Sequence, residues 1–301
     1  MISILIPVYN YEIGDLVREL CQQIVESGKS AEVILVDDGS DEVFKKKNRV
    51  LAQLPFVSYT ELPENIGRQR IRQRLSAFAK YEYLLFLDCD GLITRKDFLD
   101  KYISCLDKAD VIAGGRIYSS SPPENCSQRL HWKYGIKRES INPRLRNDKP
   151  YLRFMTNNFL ISRKIFEQLV IPVEWFHEYG HEDTYLGLQL QKRNASILHI
   201  DNPVLHSQLE DTQTFIEKSK AAVRNLALLS QGLPEQDLKK YVKLYRTKER
   251  IEKMKLGFPV NFLVRLFKRK IINNLKSCNP SLFLFDLYRL SYFLEKGRKN
   301  S

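Results

Sequence analysis

The run Tyr83-Leu84-Leu85-Phe86-Leu87 constrains this chain most: it is short, bulky and uncharged, and it breaks off into Asp88-Cys89-Asp90. Five such residues suit a strand buried on both faces, the environment of a parallel sheet covered by helices. Along extended backbone alternate side chains share a side, so Asp88 and Asp90 aim their carboxylates at one place. Two carboxylates so placed oppose each other's ionisation unless a cation lies between them. An oxygen donor set of that kind suits a hard divalent ion, Mg2+ or Mn2+. Taken alone, the triplet fits a solvated strand end with two unrelated acids just as well.

The first half of the chain repeats the alternation of strand and helix. Ile2–Val8 and residues 32–36, 57–62 and 110–113 read as further strands. Helical spacing recurs over 15–25, where Leu16, Leu20 and Ile24 share a face, and over Arg68–Phe78. This pattern predicts an α/β fold, a mostly parallel sheet flanked by helices. Such sheets bind ligands beyond the carboxyl ends of their strands, and there the polar residues gather. Pro7-Val8-Tyr9-Asn10 follows the first strand, Asp37-Asp38-Gly39-Ser40 the second, and Asp88-Cys89-Asp90 the fourth. Residues 115–150 are polar and Arg-rich with little periodicity, and regular spacing returns over 158–169 and 184–192. Short strands are expected at 197–200 and 204–206, and helices over 212–230 and 235–255.

The formal net charge of +12 attracts anions without choosing among nucleotides, anionic lipid, nucleic acid and acidic glycans. Nucleic acid is not expected as a partner, because neither an RNA-binding aromatic motif nor a recognition-helix signature is present. Glycine-rich phosphate loops of the P-loop or dinucleotide type are also absent. Cys21, Cys89, Cys105, Cys126 and Cys278 are odd in number and lack metal-ligand spacing, which predicts reduced structural thiols in a cytoplasmic protein. The chain opens on a strand pattern without a signal-like apolar core, and no apolar run reaches the roughly 18–20 residues that cross a bilayer.

Five segments, Ile6-Pro7-Val8-Tyr9-Asn10, Asp37-Asp38-Gly39-Ser40, Asn65-Ile66-Gly67, Asp88-Cys89-Asp90 and His181-Glu182-Asp183, resemble in order and spacing the signatures of family 2 glycosyltransferases. The resemblance covers about residues 1–208. It implies the GT-A (Rossmann-like) fold over 1–210, with a nucleotide-binding half at 1–115 and an acceptor-binding half at 116–210, followed by a helical appendage over 211–301. It also implies inverting transfer of a sugar from a nucleotide diphosphate, a UDP-sugar, to a hydroxyl of a glycan or lipid-linked acceptor in surface polysaccharide synthesis. The rival expectations are a nucleotidyltransferase of similar design and a non-catalytic nucleotide- or glycan-binding protein.

By that resemblance Asp38, then Asp37, takes the uracil, and Pro7, Val8 and Tyr9 line the base and ribose pocket. An Asx-type turn or a helix cap is the alternative reading of the two acids. Asn65, Gly67 and Arg72 face the diphosphate, although Gln73 stands where the family often has Asn. Asp90 binds the ion directly and Asp88 binds ribose, or the ion through water. His206 is either a third metal ligand or a packed histidine. Asp183 is the general base and Glu182 orients hydroxyls, with plain helix capping as the alternative. Asn157 and Asn158 contact donor sugar or acceptor. Trp132, Trp175, Phe176 and Tyr179 stack on sugar rings or pack. The Gln-x-x-Arg-Trp signature of processive synthases is missing, so one sugar per encounter is expected.

The tail from 261 to 301 carries nine Lys/Arg against Asp286 and Glu295, interleaved with Phe and Leu. Such a basic amphipathic segment suits an anionic membrane surface, with the protein peripheral on the inner face of the membrane. An appendage packed on the catalytic domain, or a dimer contact, is the alternative.

Overall fold

A computed structural model of the chain describes residues 1–170, 172 and 179–297. The chain divides into two compact units. Met1–Ser119, Ser140–Val173 and Leu186–Gln208 make the first; Ser120–Glu139, Glu174–Tyr185 and Leu209–Ser301 make the second.

The first unit holds strands β1 (Ile2–Val8), β2 (Ala31–Asp37), β3 (Val57–Glu61), β4 (Tyr83–Leu87), β5 (Gly91–Leu92), β6 (Val111–Ala113), β7 (Arg116–Ile117), β8 (Asn158–Ser162), β9 (Ile197–His199) and β10 (Val204–His206). Seven of them form one sheet in the order β3-β2-β1-β4-β8-β6-β9, and three form a second in the order β5-β10-β7. β1 is parallel to β2 and β4, and β2 to β3. β8 runs against both its neighbours, β4 and β6. The apolar runs become the core: Ile4, Leu5, Leu84, Leu85 and Leu160 are fully buried. Helix Gly14–Ser27 adds Leu16, Val17, Leu20 and Ile24 to it and stops at Gly28, whose φ of 61° suits a residue without a Cβ. Each such side chain contributes about 1.5–3 kcal/mol through burial. The chain lays β2 and β3 to one side of β1 and β4 to the other, so the crevice at the carboxyl ends of β1 and β4 is a topological switch point.

The second unit is helical. Leu130, Ile216, Val264, Ile271, Leu275 and Phe285 form one core cluster, and Val223, Leu226, Leu238, Val242, Tyr245 and Phe293 form another. The single helix expected over 235–255 is two, Glu235–Tyr241 and Lys243–Lys253. Val242 between them is extended (φ −118°, ψ 104°), turning its β-branched side chain into the second cluster. The expectation of reduced thiols fails at one pair: Cys126 and Cys278, 152 residues apart, form a disulfide, while Cys21, Cys89 and Cys105 are free. Arg129 donates to the Cys278 carbonyl and Lys133 to Asn279 and Pro280, so two distant segments dock where spacing along the chain gave no sign of it. The pairing removes the thiol-based argument for a reducing compartment. Among the described residues no helix is long and apolar enough to cross a membrane.

Candidate active site

Four loops meet at the carboxyl edge of the large sheet. In the turn after β2, Asp37 is fully buried and accepts from the Ser40 N–H (2.7 Å) and from the Tyr59 hydroxyl (3.1 Å). Burial, and then Asp37, push the Tyr59 phenol far above its ordinary value. Asp38 accepts from the backbone N–H groups of Ile66 (2.7 Å) and Gly67 (3.2 Å). Burial raises its pKa, with those two N–H groups pulling the other way. Gly39 must be glycine: its φ is 75°, and a Cβ would lie 2.6 Å from the Glu64 carbonyl carbon. The loop after β1 is stitched to the same turn, since Asn10 N–H donates to Ser40 Oγ and Asp41 N–H to Asn10 Oδ1.

Of the residues expected to line a base pocket, Tyr9 is exposed at the sheet edge and Pro7 is half-buried. Val8 is a correction: its side chain lies in the hydrophobic core, and it contributes a carbonyl that accepts from the Asp38 N–H. Asn65 is exposed, and Gly67 has a φ of 86° where the helix Arg68–Phe78 begins.

Beyond β4 the acids are differently placed. Arg72, almost fully buried, donates to Asp88 (3.0 Å) and to the Thr156 carbonyl (3.3 Å), and Arg116 reaches the other Asp88 oxygen at 3.6 Å. Asp90 lies 3.3 Å from His206 Nδ1. The small sheet makes this pairing, because β10 runs antiparallel to β5 with His206 opposite Gly91, and parallel to β7, which carries Arg116. Burial opposes the Asp90 charge, yet His206, then Arg116 and Arg68, outweigh it and hold the carboxyl below the usual range. Between the two acids, burial and then Asp90 and Asp88 push the Cys89 thiol up to about 12, which keeps it protonated.

The paired amides separate. Asn158 is fully buried; it accepts from Tyr102 (2.6 Å) and donates to the carbonyls of Gly115 (3.0 Å) and Asn202 (2.8 Å). The reading of Asn158 as a sugar contact is therefore corrected, its amide being spent inside the fold. Asn157 is 4% exposed, and its Nδ2 and Oδ1 have no hydrogen-bond partner among the described residues. Its carbonyl accepts from the Asp88 N–H (2.9 Å), which fixes it beside the acidic loop. Gln69, one helical turn before Arg72, has the same character, buried with both amide atoms unpartnered. Sequence reasoning missed Gln69 and Arg116; the Gly114-Gly115 pair ending β6 was the signal for the second.

His181, Glu182 and Asp183 belong to the second unit. Glu182 opens the helix Glu182–Lys192 and accepts from the Gly180 N–H (3.0 Å). Gly180 (φ 111°) packs so closely on Ala222 that a Cβ would come within 2.5 Å of it, and Asn225 donates to its carbonyl. Desolvation, then Arg289, lowers the His181 pKa to about 4. Asp183 follows in the first turn, where the helix dipole favours a carboxylate. Tyr179 lies beside Lys218, while Trp175 and Phe176 fall outside the described residues.

An ionised carboxylate and an imidazole at 3.3 Å fit a divalent ion that takes its other ligands from water and phosphate oxygens. Among the described residues no cluster of three or more His, Cys, Asp or Glu side chains supplies a complete cage. Asp88, held by two guanidiniums, is poorly placed as a direct ligand.

A mostly parallel sheet flanked by helices, with a strand-end acid pair at its switch point, matches the GT-A class of fold. The family model for glycosyl transferase family 2 matches residues 3–170, and the chain belongs to that family. It is 25% identical to the chondroitin synthase of Escherichia coli over 287 residues, covering 83% of this chain and 40% of that protein's length. Among solved structures it resembles the mannosyltransferase of Pyrobaculum calidifontis in complex with GDP-Man and Mn2+, with a TM-score of 0.59, 13% identity, and coverage of 100% of this chain and 87% of the other. It also resembles the glucosyl-3-phosphoglycerate synthase of Mycobacterium tuberculosis in complex with Mn2+, UDP and glucosyl-3-phosphoglycerate, with a TM-score of 0.51, 15% identity, and coverage of 78% and 81%.

Proposed function

We propose that this glycosyltransferase transfers one sugar from a UDP-sugar to a hydroxyl of a glycan or lipid-linked acceptor, with inversion and with Mn2+ or Mg2+. The observation that carries the reading is the Asp90–His206 pair beside an Asp88 clamped by Arg72 and Arg116. A carboxylate–imidazole pair with two guanidiniums beside it supports a site for a divalent ion and an anionic diphosphate. The UDP and Mn2+ bound by one structural neighbour, and the GDP-Man and Mn2+ bound by another, support a nucleotide-sugar donor and a divalent ion.

Asp90 and His206 would hold the ion, which when bound neutralises diphosphate charge as a Lewis acid. Asp37 is consumed by its own turn, so uracil recognition falls to Asp38 and the Asn65-Ile66-Gly67 backbone that it shapes, with Pro7 and Tyr9 beside the base. Asn65 serves the diphosphate side, Arg72 fixes Asp88 beside it, and Asn157 offers to donor hydroxyls two amide atoms that have no partner among the described residues. Asp183 takes the proton of the acceptor hydroxyl as that oxygen attacks the anomeric carbon. The bond from that carbon to the diphosphate breaks, and UDP leaves from the opposite face. Glu182, tied to the Gly180 N–H, steadies the segment that presents Asp183. A lipid-linked acceptor would bring the enzyme to an anionic membrane surface in surface polysaccharide synthesis.

Asp183→Asn should abolish transfer and leave UDP-sugar affinity nearly unchanged; turnover that survives the substitution removes Asp183 from the mechanism. A thermal-shift panel of nucleotide sugars with and without Mn2+ identifies the donor, and affinity indifferent to chelation would count against the Asp90–His206 site.

A further inference from the structure

The second unit carries a surface that the transferase reading does not use, in the helices Gly257–Leu266 and Lys268–Leu275. Between residues 253 and 276 the sequence has seven Lys/Arg and no Asp or Glu. The first helix is apolar on two sides. Gly257, Asn261 and Val264 are buried, Val264 in the cluster that also contains Ile271 and Phe285. On the other side lie Phe258, Pro259, Phe262, Leu263 and Leu266, a stripe about 140° wide at about 100° per residue. Phe258 is 66% exposed, Phe262 56% and Leu266 62%, and the two phenylalanine rings stack on each other. Met254 and Phe267 extend the stripe at both ends and are also exposed. A helix whose one apolar side already lies in a core has no structural need for a second, and a contiguous exposed apolar patch marks a docking surface.

The rim names the occupant. Lys253, Lys255, Lys268, Arg269 and Lys270 are all exposed around the stripe, and the Lys270 ammonium lies 5.7 Å from the Phe267 ring. A second copy docked about a two-fold axis would set this basic rim against itself, like charge facing like. A bilayer with anionic headgroups satisfies both parts, taking the aromatic stripe below the headgroups and the lysines among them.

We propose that residues 253–270 form an in-plane membrane-binding face that inserts Phe258, Phe262 and Leu266 into an anionic bilayer. This face gives residues to the membrane contact named in the proposed function without depending on the transfer chemistry, and it narrows the surface expected over the whole of 261–301. Helix Leu282–Gly297 buries Phe285, Leu290, Phe293 and Leu294 and is an integral part of the unit instead.

The test is co-sedimentation of the full chain with vesicles of phosphatidylcholine alone and of phosphatidylcholine with about one third phosphatidylglycerol. The wild type should bind the anionic vesicles, and added salt should release it. The triple variant F258S/F262S/L266S should bind at least about tenfold more weakly with its circular-dichroism melt unchanged. A single Phe262→Trp variant, quenched by brominated acyl chains on binding, reads insertion even if the triple variant misfolds. No sedimentation of the wild type, equal binding to neutral and anionic vesicles, or an unquenched indole in the Phe262→Trp variant would overturn the proposal. So would a wild-type dimer, seen by light scattering, that the triple variant dissociates in the absence of lipid.

Discussion

The two acidic strand ends of the first unit look alike in the sequence and behave differently in the fold. Asp37 and Asp38 have turned their oxygens onto the protein itself, on Ser40, Tyr59, Ile66 and Gly67. Asp88 and Asp90 face guanidiniums and an imidazole across the crevice, with Asp88 still partly accessible. The first pair shapes the turn on which base recognition by Asp38 is proposed, and the second presents charge. What separates them is the supply of backbone N–H groups. The turn after β2 runs against the Ile66-Gly67 backbone that leads into the Arg68–Phe78 helix and offers Asp38 two N–H groups, whereas the loop after β4 meets side chains brought in by β7 and β10.

That contrast can be attacked directly. Asp90→Asn should cost the most, lowering turnover by about a thousandfold or more with little change in melting temperature, as expected for a group acting on developing charge. An activity loss matched by unfolding would place Asp90 with the structural acids. A second closed network sets the pH response. His199 accepts from Arg146 at Nδ1 (3.0 Å) and contacts the Pro150 carbonyl at Nε2 (2.9 Å), and burial is the main cause lowering its pKa to about 4. A histidine with a depressed folded pKa stays neutral while the unfolded chain takes up a proton. Stability should therefore fall between pH 6.5 and about 4, by roughly 2–3 kcal/mol for this residue. Urea titrations across that window should show the slope, and His199→Gln should roughly halve it, because His181, also lowered to about 4, contributes over the same window. Asp37→Ala should destabilise the fold by about 1–3 kcal/mol by stranding the Ser40 N–H and the Tyr59 hydroxyl, read as a shifted denaturation midpoint. The smallest effect concerns Asn157, where Asn157→Leu removes two unsatisfied buried atoms. It should leave stability equal or raise it by about 1 kcal/mol while weakening donor binding in calorimetry; a marked loss of stability would show that the amide is satisfied within the fold.

The local parts of this architecture could be read in advance. Strand β4 matches its apolar run, and β1, β2, β3 and β6 start and stop within a residue of expectation, because a buried strand writes its own pattern. The antiparallel β8 and the two-residue strands β5 and β7 could not be read, since nothing in such short segments encodes partner or direction. Asp88, Asp90 and His206 stand out in the sequence, and Asp90 and His206 lie 3.3 Å apart, whereas nothing in the sequence marks Gln69 and only the neighbouring glycines mark Arg116. Their importance depends on what lies opposite them, not on what lies beside them in the chain. Arg146 is the clearest case: within a stretch that looked like loop, its guanidinium binds the carbonyls of Ala113, Gly114 and Ile200. The two halves of the Cys126–Cys278 bond were equally mute, being 152 residues apart.

That bond also changes what a nick in the polypeptide can do. A protease cut at any single peptide bond between Cys126 and Cys278 leaves two fragments still joined through sulfur. They would migrate as one band on a gel until reductant is added.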